Sequence, residues 1–549
     1  MKHWVDKLAE ELIDYWGDDL KEPIVLNGGL SVSGLQHVGR LRGEITLNSA
    51  LKRTLEEKGY KAKQYLTLYT QDEWKGKKPQ LAMFSDPNRA KEYIGWRLID
   101  VPDPKGCHDN WVEHFWEDFG GYLDKFAEDV KVITTTEMYE GSLKEYVKKS
   151  IEKAKEVRDI INKYRKRKPL PEGWIPFQVR CESCGKIGRS KILNVDLERF
   201  EAEYECEHCG YRGKTSLTNG KLNWRIEWAA IWSALNVHFE PYGKDHATPG
   251  GSRDSAAELS VKIFNRKPPF GAAYEWVGEI LPNGEKKIMG SSDFSGFTPR
   301  EWYEVAEPEI IRYFYLINEP MKQVYLGLHL IPQYYNMFDE GESIYFGEDI
   351  EGITEEKKKQ IKRSYELAIL YPVPKEKPVR VPFDHLALVV QTVIERNLVE
   401  TVIEKLRDSI LKGVELSEFD LNLLRERIIR ARNWVEKYAP GNMKFKIIGK
   451  EDIAKHIEEI KNMLGENIDY FRELVNKLSN IESWNSENIK SEMQSVTSKL
   501  PSKKQMKKFF GAIYLMFLGK PYGPRIAPLL ASLNKKDVID RMEIILKKL

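Results

Sequence analysis

Four of the five cysteines fall in two Cys-x-x-Cys pairs, Cys181 with Cys184 and Cys206 with Cys209, and twenty-one residues separate the pairs. No other spacing in the chain constrains its folding so tightly. Thiolates two residues apart wrap one ion in a knuckle, and two knuckles complete a tetrahedron, the geometry of Zn²⁺. Gly185 and Gly210 each follow their pair directly, and glycine suits the tight turn that folds sulfur around a metal. All four positions are filled by protein, so no place remains for an activated water. The zinc is therefore structural, and the chemistry lies elsewhere. Cysteines committed to a metal also point to a reducing, cytoplasmic setting rather than to disulfides.

The chemistry is read instead at Val25 to Glu44, VLNGGLSVSGLQHVGRLRGE. The apolar run Ile24 to Leu26 predicts a strand, and the glycine- and hydroxyl-rich turn after it leads into a helix expected from about Leu35. Unpaired amides and the positive dipole end of such a terminus bind phosphate. His37 and Gly39 fall in the first helical turn, where an imidazole can donate to a phosphate oxygen and a missing side chain lets a flat base approach. Lys63 to Tyr69 predicts a second parallel strand ending at Thr70-Gln71-Asp72. Ligands of open α/β sheets bind at strand carboxyl ends, so Asp72 is either a pocket residue or a carboxylate capping a helix.

After the cysteines, Lys221 to Phe239 reads as a strand or turn followed by a helix, with Trp224, Trp228 and Trp232 four residues apart. A stripe at that spacing is more often core than pocket, and Trp232 is assigned to the core. Gly243-Lys244-Asp245-His246, with Gly250, Gly251 and Ser252, reads as another strand-end loop opening a helix, the second half of the same cleft. Glu285 to Ser292, EKKIMGSS, has the character of a mobile loop.

At 549 residues the chain exceeds one hydrophobic core, and three or more domains are expected. Lys and Arg number 86 against 84 Asp and Glu, a net charge of +2, so any nucleic-acid surface must be a local patch. The longest apolar run, Phe509 to Leu518, is about half of a membrane span. Trp4, Leu8, Leu12, Ile13 and Trp16 recur at helical spacing, which predicts a core-facing amphipathic helix over Met1 to Trp16 rather than a signal segment. Asp103, Cys107, His108 and His114 bring thiolate, imidazole and carboxylate together within a dozen residues, a candidate second zinc site set against isolated histidines of surface or core.

Lys144 to Lys168, ending in KYRKRK, is a solvated helix face or a contact for an RNA acceptor stem. Beyond Thr298 the pattern becomes helical. Pro299 to Leu330 carries helical spacing, Pro372 to Pro382 reads as a linker or stiff turn, and Phe383 to Leu549 is amphipathic helix. Two basic clusters there, Arg425, Arg427, Arg430 and Arg432, and Lys503, Lys504, Lys507 and Lys508, are solvated faces or contacts for RNA backbone.

Ser33-Gly34 with His37-Val38-Gly39-Arg40 resembles the first signature of the class I aminoacyl-tRNA synthetases, which contacts ATP; Arg40 stands where that family usually has histidine or asparagine. Lys287-Ile288-Met289-Gly290-Ser291 resembles the second signature, which surrounds the pyrophosphate, with Gly290 at the usual second lysine. The GGLSVSG turn, the GCH segment, the four-cysteine ribbon, Trp224, the GKDH block and GPRIAPLL near Pro524 extend the likeness end to end. On these features the chain resembles the archaeal-type class I lysyl-tRNA synthetases.

That resemblance implies an α/β fold: a Rossmann-like parallel sheet split by a zinc-binding insertion, followed by an all-α tRNA-binding region. The implied boundaries are residues 1–100 and 219–298 for the two halves of the catalytic domain and 101–218 for the insertion. Residues 299–382 form a stem-contact region and linker, and 383–549 an anticodon-binding domain. The implied activity is ATP-dependent attachment of L-lysine to tRNA(Lys) through a lysyl-adenylate, with Mg²⁺ accompanying ATP and no membrane partner. ATP would meet Ser33, Gly34, His37, Gly39, Arg40, Lys287, Ile288, Met289, Gly290 and Ser291. Of these, His37, Gly39, Lys287 and Ser291 would carry catalysis, with His37 and Lys287, aided by Lys286, supplying the charge. Lysine would meet Gly29, Ser31, Asp72, Trp224, Asp245 and His246. Two alternatives remain: a class I synthetase for another amino acid, and a catalytically silent tRNA-binding paralogue, for which Gly290 speaks.

Overall fold

The apolar run at Ile24 continues further than its hydrophobicity suggests, through two glycines, into strand β1 (Ile24–Leu30). In the computed structural model, which describes residues 2–165, 168–393 and 397–548, β1 runs parallel to β2 (Ala62–Leu68), and β2 to β3 (Val130–Thr134). Ile24, Leu26 and Leu30 are fully buried, as in a strand covered on both faces. Helix α1 (Trp4–Trp16) has the amphipathic character expected of it. Its Leu8, Leu12 and Trp16 form one apolar cluster with Ile24, Leu26 and the Leu51 and Leu55 of α2 (Asn48–Glu57).

On its other side β1 is continued by residues far along the chain. Asn27 donates its amide to Phe239 O at 2.9 Å, and Phe239 in turn bridges Phe270, both pairings parallel. Just beyond, β4 (Tyr242–Gly243) pairs in parallel with β5 (Ala273–Tyr274). Strand succession therefore reverses direction between β1 and the Phe239 segment. In doubly wound sheets a crevice opens at the carboxyl ends of the strands beside such a reversal. Helix α3 (Trp224–Ala234) and helix α4 (Ser252–Phe264) cover this half of the sheet, sharing one core through Trp228, Ile231, Trp232, Leu259 and Ile263.

The four cysteines lie between the two halves. Phe177–Val179 pairs antiparallel with Gly220–Leu222, so the chain enters and leaves this segment through neighbouring strands. Within it, Ser190–Asp196, Glu201–Cys206 and Arg212–Ser216 form an antiparallel meander. The charged stretch before it is two helices, Lys144–Glu152 and Ala154–Tyr164, rather than one. Lys166 and Arg167 of the KYRKRK run lie outside the described residues.

Local structure departs from the sequence expectation in three places. The helix expected from Leu35 begins at Val38, because Val38 donates its amide to Phe297 O (2.8 Å) and His37 before it is still extended. Val38–Leu41 is then a 3₁₀ turn and Arg42–Leu47 a π-helical segment, before α2 becomes regular. The loop expected at Glu285 to Ser292 contains a strand, β7 (Lys286–Ile288), antiparallel to β6 (Val277–Ile280). Pro299 to Leu330 is not wholly helical: Pro299–Tyr303 and Pro308–Leu316 are helices, but β8 (Val324–Leu326) joins β6 in parallel.

The chain folds as two compact units. The first is Met1–Tyr303 with Pro308–Gly327 and Gly347–Val373, and the second is Glu304–Glu307, Leu328–Phe346 and Pro374–Leu549. The second unit is helical, and from Ile453 onward it has its own core, centred on Phe471, Leu474, Phe509, Met516, Leu530 and Met542. The arginine cluster is neither a solvated face nor an RNA contact throughout. Arg427 is buried and bidentate to Asp339 (2.8 and 2.9 Å), and the buried Arg430 pairs with Glu426 at 2.5 Å. Lys503, Lys504, Lys507 and Lys508 are exposed along the first turns of Lys503–Leu518. No helix among the described residues is long and apolar enough to cross a membrane.

Candidate active site

At the carboxyl end of β1, beside the strand reversal, lies a cavity of about 380 Å³. Its walls come from both halves of the sheet: Gly29, His37, Gly39 and Arg40 from the first, Trp224, Asp245 and His246 from the second, and Ile288, Met289, Gly290 and Ser291 from the chain at β7. The two signature-like segments thus share one cavity. Arg40 Nε donates to Ser291 Oγ at 3.2 Å. Gly34 stands behind that contact, where a Cβ would lie 2.4 Å from the Ser291 carbonyl oxygen; only glycine lets the two loops meet.

The cavity lining combines one guanidinium with several carboxylates. At the Ser291 end, Arg40 is the one lysine or arginine among the lining residues. His37 is buried, and burial with the neighbouring Arg40 lowers its pKa to about 3, so it is a neutral hydrogen-bonding group rather than a charge. Its Nδ1 has no partner among the described residues. Strand alternation turns Ile288 to the cavity and Lys287 to the opposite face, where Nζ lies 3.3 Å from Glu279 Oε2. Lys286 Nζ lies 4.8 Å from the centre of the Tyr325 ring.

The rest of the lining is acidic and aromatic. Glu240 is buried and accepts from Trp228 Nε1 (2.7 Å), Trp232 Nε1 (2.9 Å) and Asn27 Nδ2 (3.0 Å). Glu44 accepts from the Tyr274 hydroxyl; its other oxygen is buried with no partner among the described residues, and burial, opposed by the nearby Arg40, pushes its pKa up to about 7. Trp224 stacks on Trp228 (5.1 Å, 20°) and meets Tyr69 edge-on (5.2 Å), whose buried hydroxyl has no partner among the described residues. His246 Nδ1 is hydrogen-bonded with Ser252 Oγ at 2.7 Å, at the start of α4.

Other expected site residues stand apart from the lining. Asp72 neither lines the cavity nor caps a helix: Lys221 Nζ lies 2.5 Å from its Oδ1 and 2.8 Å from Glu227 Oε2. Ser31 and Ser33 are also outside the lining, and the Ser33 carbonyl accepts from Gln80 Nε2 at 2.8 Å. Trp232 is fully buried, as expected of a core residue.

Both metal-ligand patterns converge in space. Cys181 Sγ to Cys209 Sγ and Cys184 Sγ to Cys206 Sγ are each 3.7 Å, and all four donor atoms lie within 4.8 Å of one another. A tetrahedron with Zn–S bonds of about 2.3 Å has edges of about 3.8 Å, so the donor set fits Zn²⁺. Gly185 and Gly210 both have φ of +73°, in the left-handed region the knuckle turns require. Asp103, Cys107, His108 and His114 also place one donor atom each within 4.8 Å of the others. His114 Nδ1 is 3.0 Å from Asp103 Oδ1 and 3.3 Å from Cys107 Sγ, and Asp103 is held by the amides of Cys107 and His108 (2.6 Å each).

A family model described as tRNA synthetases class I (K) matches residues 2–370, and one described as an anticodon binding domain matches residues 397–546. The chain belongs to the class I (K) tRNA synthetases. It is 43% identical to the lysine–tRNA ligase of Aeropyrum pernix over 544 residues, 98% of this chain and 97% of that protein. It is 32% identical to the corresponding ligases of Methanocaldococcus jannaschii and Pyrococcus horikoshii, over 99% of this chain and 99% and 100% of theirs.

Several residues that shape this synthetase's cavity escape sequence reasoning. Glu44 lies in the stretch singled out above, but nothing in its spacing marks it as buried; the π-helical segment turns it onto β1, where a Cβ on Gly28 would stand 2.8 Å from its own Cβ. Tyr69 and Tyr274 look like ordinary strand aromatics. Glu240 had a readable signal, a carboxylate directly after the apolar Val237-His238-Phe239 run, at the strand end where sheet ligands bind.

Proposed function

We propose that this synthetase is a lysine–tRNA ligase that activates L-lysine with ATP and transfers it to tRNA through a lysyl-adenylate. The observation that carries the reading is the make-up of the cavity lining: one guanidinium, tied to Ser291, together with two buried carboxylates framed by tryptophans and tyrosine. A triphosphate needs the first. An ammonium on a long apolar stem needs the second, because a buried cation requires a carboxylate or an aromatic face.

In the first step the lysine carboxylate attacks the α-phosphorus, and the bond to pyrophosphate breaks. In the second a ribose hydroxyl at the tRNA 3′ end takes the acyl group and AMP leaves. Neither step needs a covalent enzyme intermediate, so the protein acts by alignment and charge neutralisation. Arg40, fixed by Ser291, is the cation for the phosphates; neutral His37 donates a hydrogen bond to a phosphate oxygen; Gly39 lets the nucleotide lie against the backbone. Gly29, Trp224, Asp245 and His246 shape the amino-acid end, with Glu44 and Glu240 facing the ammonium. Mg²⁺ arrives with ATP. Cys181, Cys184, Cys206 and Cys209 hold structural Zn²⁺, and Asp103, Cys107, His108 and His114 a second, in the reducing cytoplasm. The helical second unit, with its exposed lysines at Lys503 to Lys508, takes the anticodon arm of tRNA(Lys).

Amino-acid-dependent pyrophosphate exchange, run over all twenty amino acids with tRNA present, is the decisive test. Lysine alone should support exchange; a different amino acid would replace the substrate assignment, and silence with all twenty would refute the enzyme. Replacing Asp245 by Ala should raise the KM for lysine far more than that for ATP.

A further inference from the structure

When ATP is attacked at its α-phosphorus, cations must meet the negative charge of the departing pyrophosphate. The cavity lining offers one lysine or arginine, Arg40; His37 is neutral, and Lys287 faces Glu279 on the other side of β7. Gly290 lines the cavity and brings no charge. The two signature-like loops are, however, joined by a third segment, the short helix Lys78–Leu81 with Lys77 before it. Gln80 is buried; its side-chain oxygen accepts from the Lys77 amide at 2.7 Å, and its Nε2 donates to the Ser33 carbonyl at 2.8 Å, which holds this helix against the first loop. Lys77 Nζ reaches the second loop, donating to Ser292 Oγ at 2.7 Å and lying 3.3 Å from Asp293 Oδ1.

Two contacts place that ammonium at the edge of the cavity. Ser292 directly follows Ser291, a lining residue. A Cβ on Gly290 would stand 3.2 Å from Asp293 Oδ2, so the carboxylate that pairs with Lys77 lies beside the point where a side chain at 290 would leave the backbone. The pair itself is a weak competitor for the lysine. Its side chains are 46% and 59% exposed, and an ion pair in that much water holds little energy. A pyrophosphate carries more negative charge than one carboxylate, and a lysine ammonium is a compact charge on a flexible stem that turns readily from one acceptor to another.

We propose that Lys77 is a catalytic residue of the activation step, supplying from the first half of the sheet the second cation that Gly290 does not provide. The proposal rests on the reading of the chain as a lysine–tRNA ligase and deepens it. As a carboxylate oxygen of lysine bonds to the α-phosphorus, the bond from that phosphorus to the bridging oxygen breaks and its electron pair stays on pyrophosphate, where the Lys77 ammonium neutralises it without giving up a proton. Pyrophosphate exchange by the full-length protein, with lysine, ATP and tRNA present, tests this. Lys77→Met should lower the exchange kcat by a factor on the order of 10–10² and raise the KM for pyrophosphate, while the KM for lysine and the thermal midpoint stay unchanged. Gly290 does not have a left-handed φ, so its backbone admits a side chain; Gly290→Lys in the Lys77→Met background should restore most of the lost kcat. Asp293→Ala, which frees the ammonium from its carboxylate, should keep the parent kcat or exceed it. Parent-like kinetics in Lys77→Met or no recovery in the double variant would overturn the assignment. So would an Asp293→Ala loss equal to that of Lys77→Met, which would make the pair a clasp between loops. Failure of the ligase reading itself would look different, as no lysine-dependent exchange by the unaltered protein.

Discussion

Arg40 occupies a position whose side chain the first signature alone leaves undefined, and the cavity gives it a task. It is the sole lysine or arginine of the lining and is tied to Ser291, whereas Lys287 is engaged by Glu279. Arg40→Met should therefore lower the exchange kcat by a factor on the order of 10²–10³, the usual cost of losing one preorganised electrostatic group. Lys287→Met should cost clearly less; the reverse ranking would return the role to the lysine. Glu44 makes a prediction about pH. Its pKa rises from 4.5 to about 7 on folding, so between those values the folded state binds more protons than the unfolded. Its stabilising share is complete below pH 4.5 and lost as pH rises through 7, a difference of roughly 3 kcal/mol. Urea midpoints at pH 5 and pH 8 should show this loss in the parent and much less of it in Glu44→Gln. Neither role was legible from the sequence. His37 reads as a cation donor in a motif, and only its burial beside a guanidinium makes it neutral.

Among the elements, the first loop and β7 depend on each other through Gly34. An alanine there would place its methyl 2.4 Å from the Ser291 carbonyl, so Gly34→Ala should separate the two loops and raise the KM for ATP while leaving the fold intact by circular dichroism. The cysteine ribbon makes an independent prediction: metal analysis should find two zinc ions per chain, falling to one in Cys184→Ser and to one in His114→Ala. The residues of both clusters, which the sequence offers within short stretches or paired knuckles, come together in space with their donor atoms within 4.8 Å of one another. β1, β2 and α1 were legible through a hydrophobic period that burial enforces. The strand at Lys286–Ile288 was not. Its three residues, two lysines and Ile288, are exposed, and they are held by pairing to Val277–Ile280 rather than by any pattern of their own. The arginines of Glu418–Lys437 misled in the opposite direction: a run that reads as a basic face hides Arg427 against Asp339, a partner 88 residues away.

For the molecule as a whole, end-to-end agreement of motifs made the catalytic fold readable, while the path by which its sheet is completed was not. β1 acquires its second neighbour only at Phe239, after the whole cysteine segment has intervened. During synthesis the ribosome therefore delivers β1 to β3 long before the strand that covers the inner margin of β1. Until then an apolar strand presents unpaired amides and carbonyls to whatever it meets, the condition under which chains associate wrongly. A chain released at Asn236 should sediment as aggregate, or be recovered with holdase chaperones, whereas one extended through the β5 strand should not. Zinc capture by the ribbon, which joins Phe177–Val179 to Gly220–Leu222, would shorten that exposed interval by drawing the late strand towards its place. With zinc bound as proposed, zinc supply would then bear on the yield of folded synthetase as much as on its final stability.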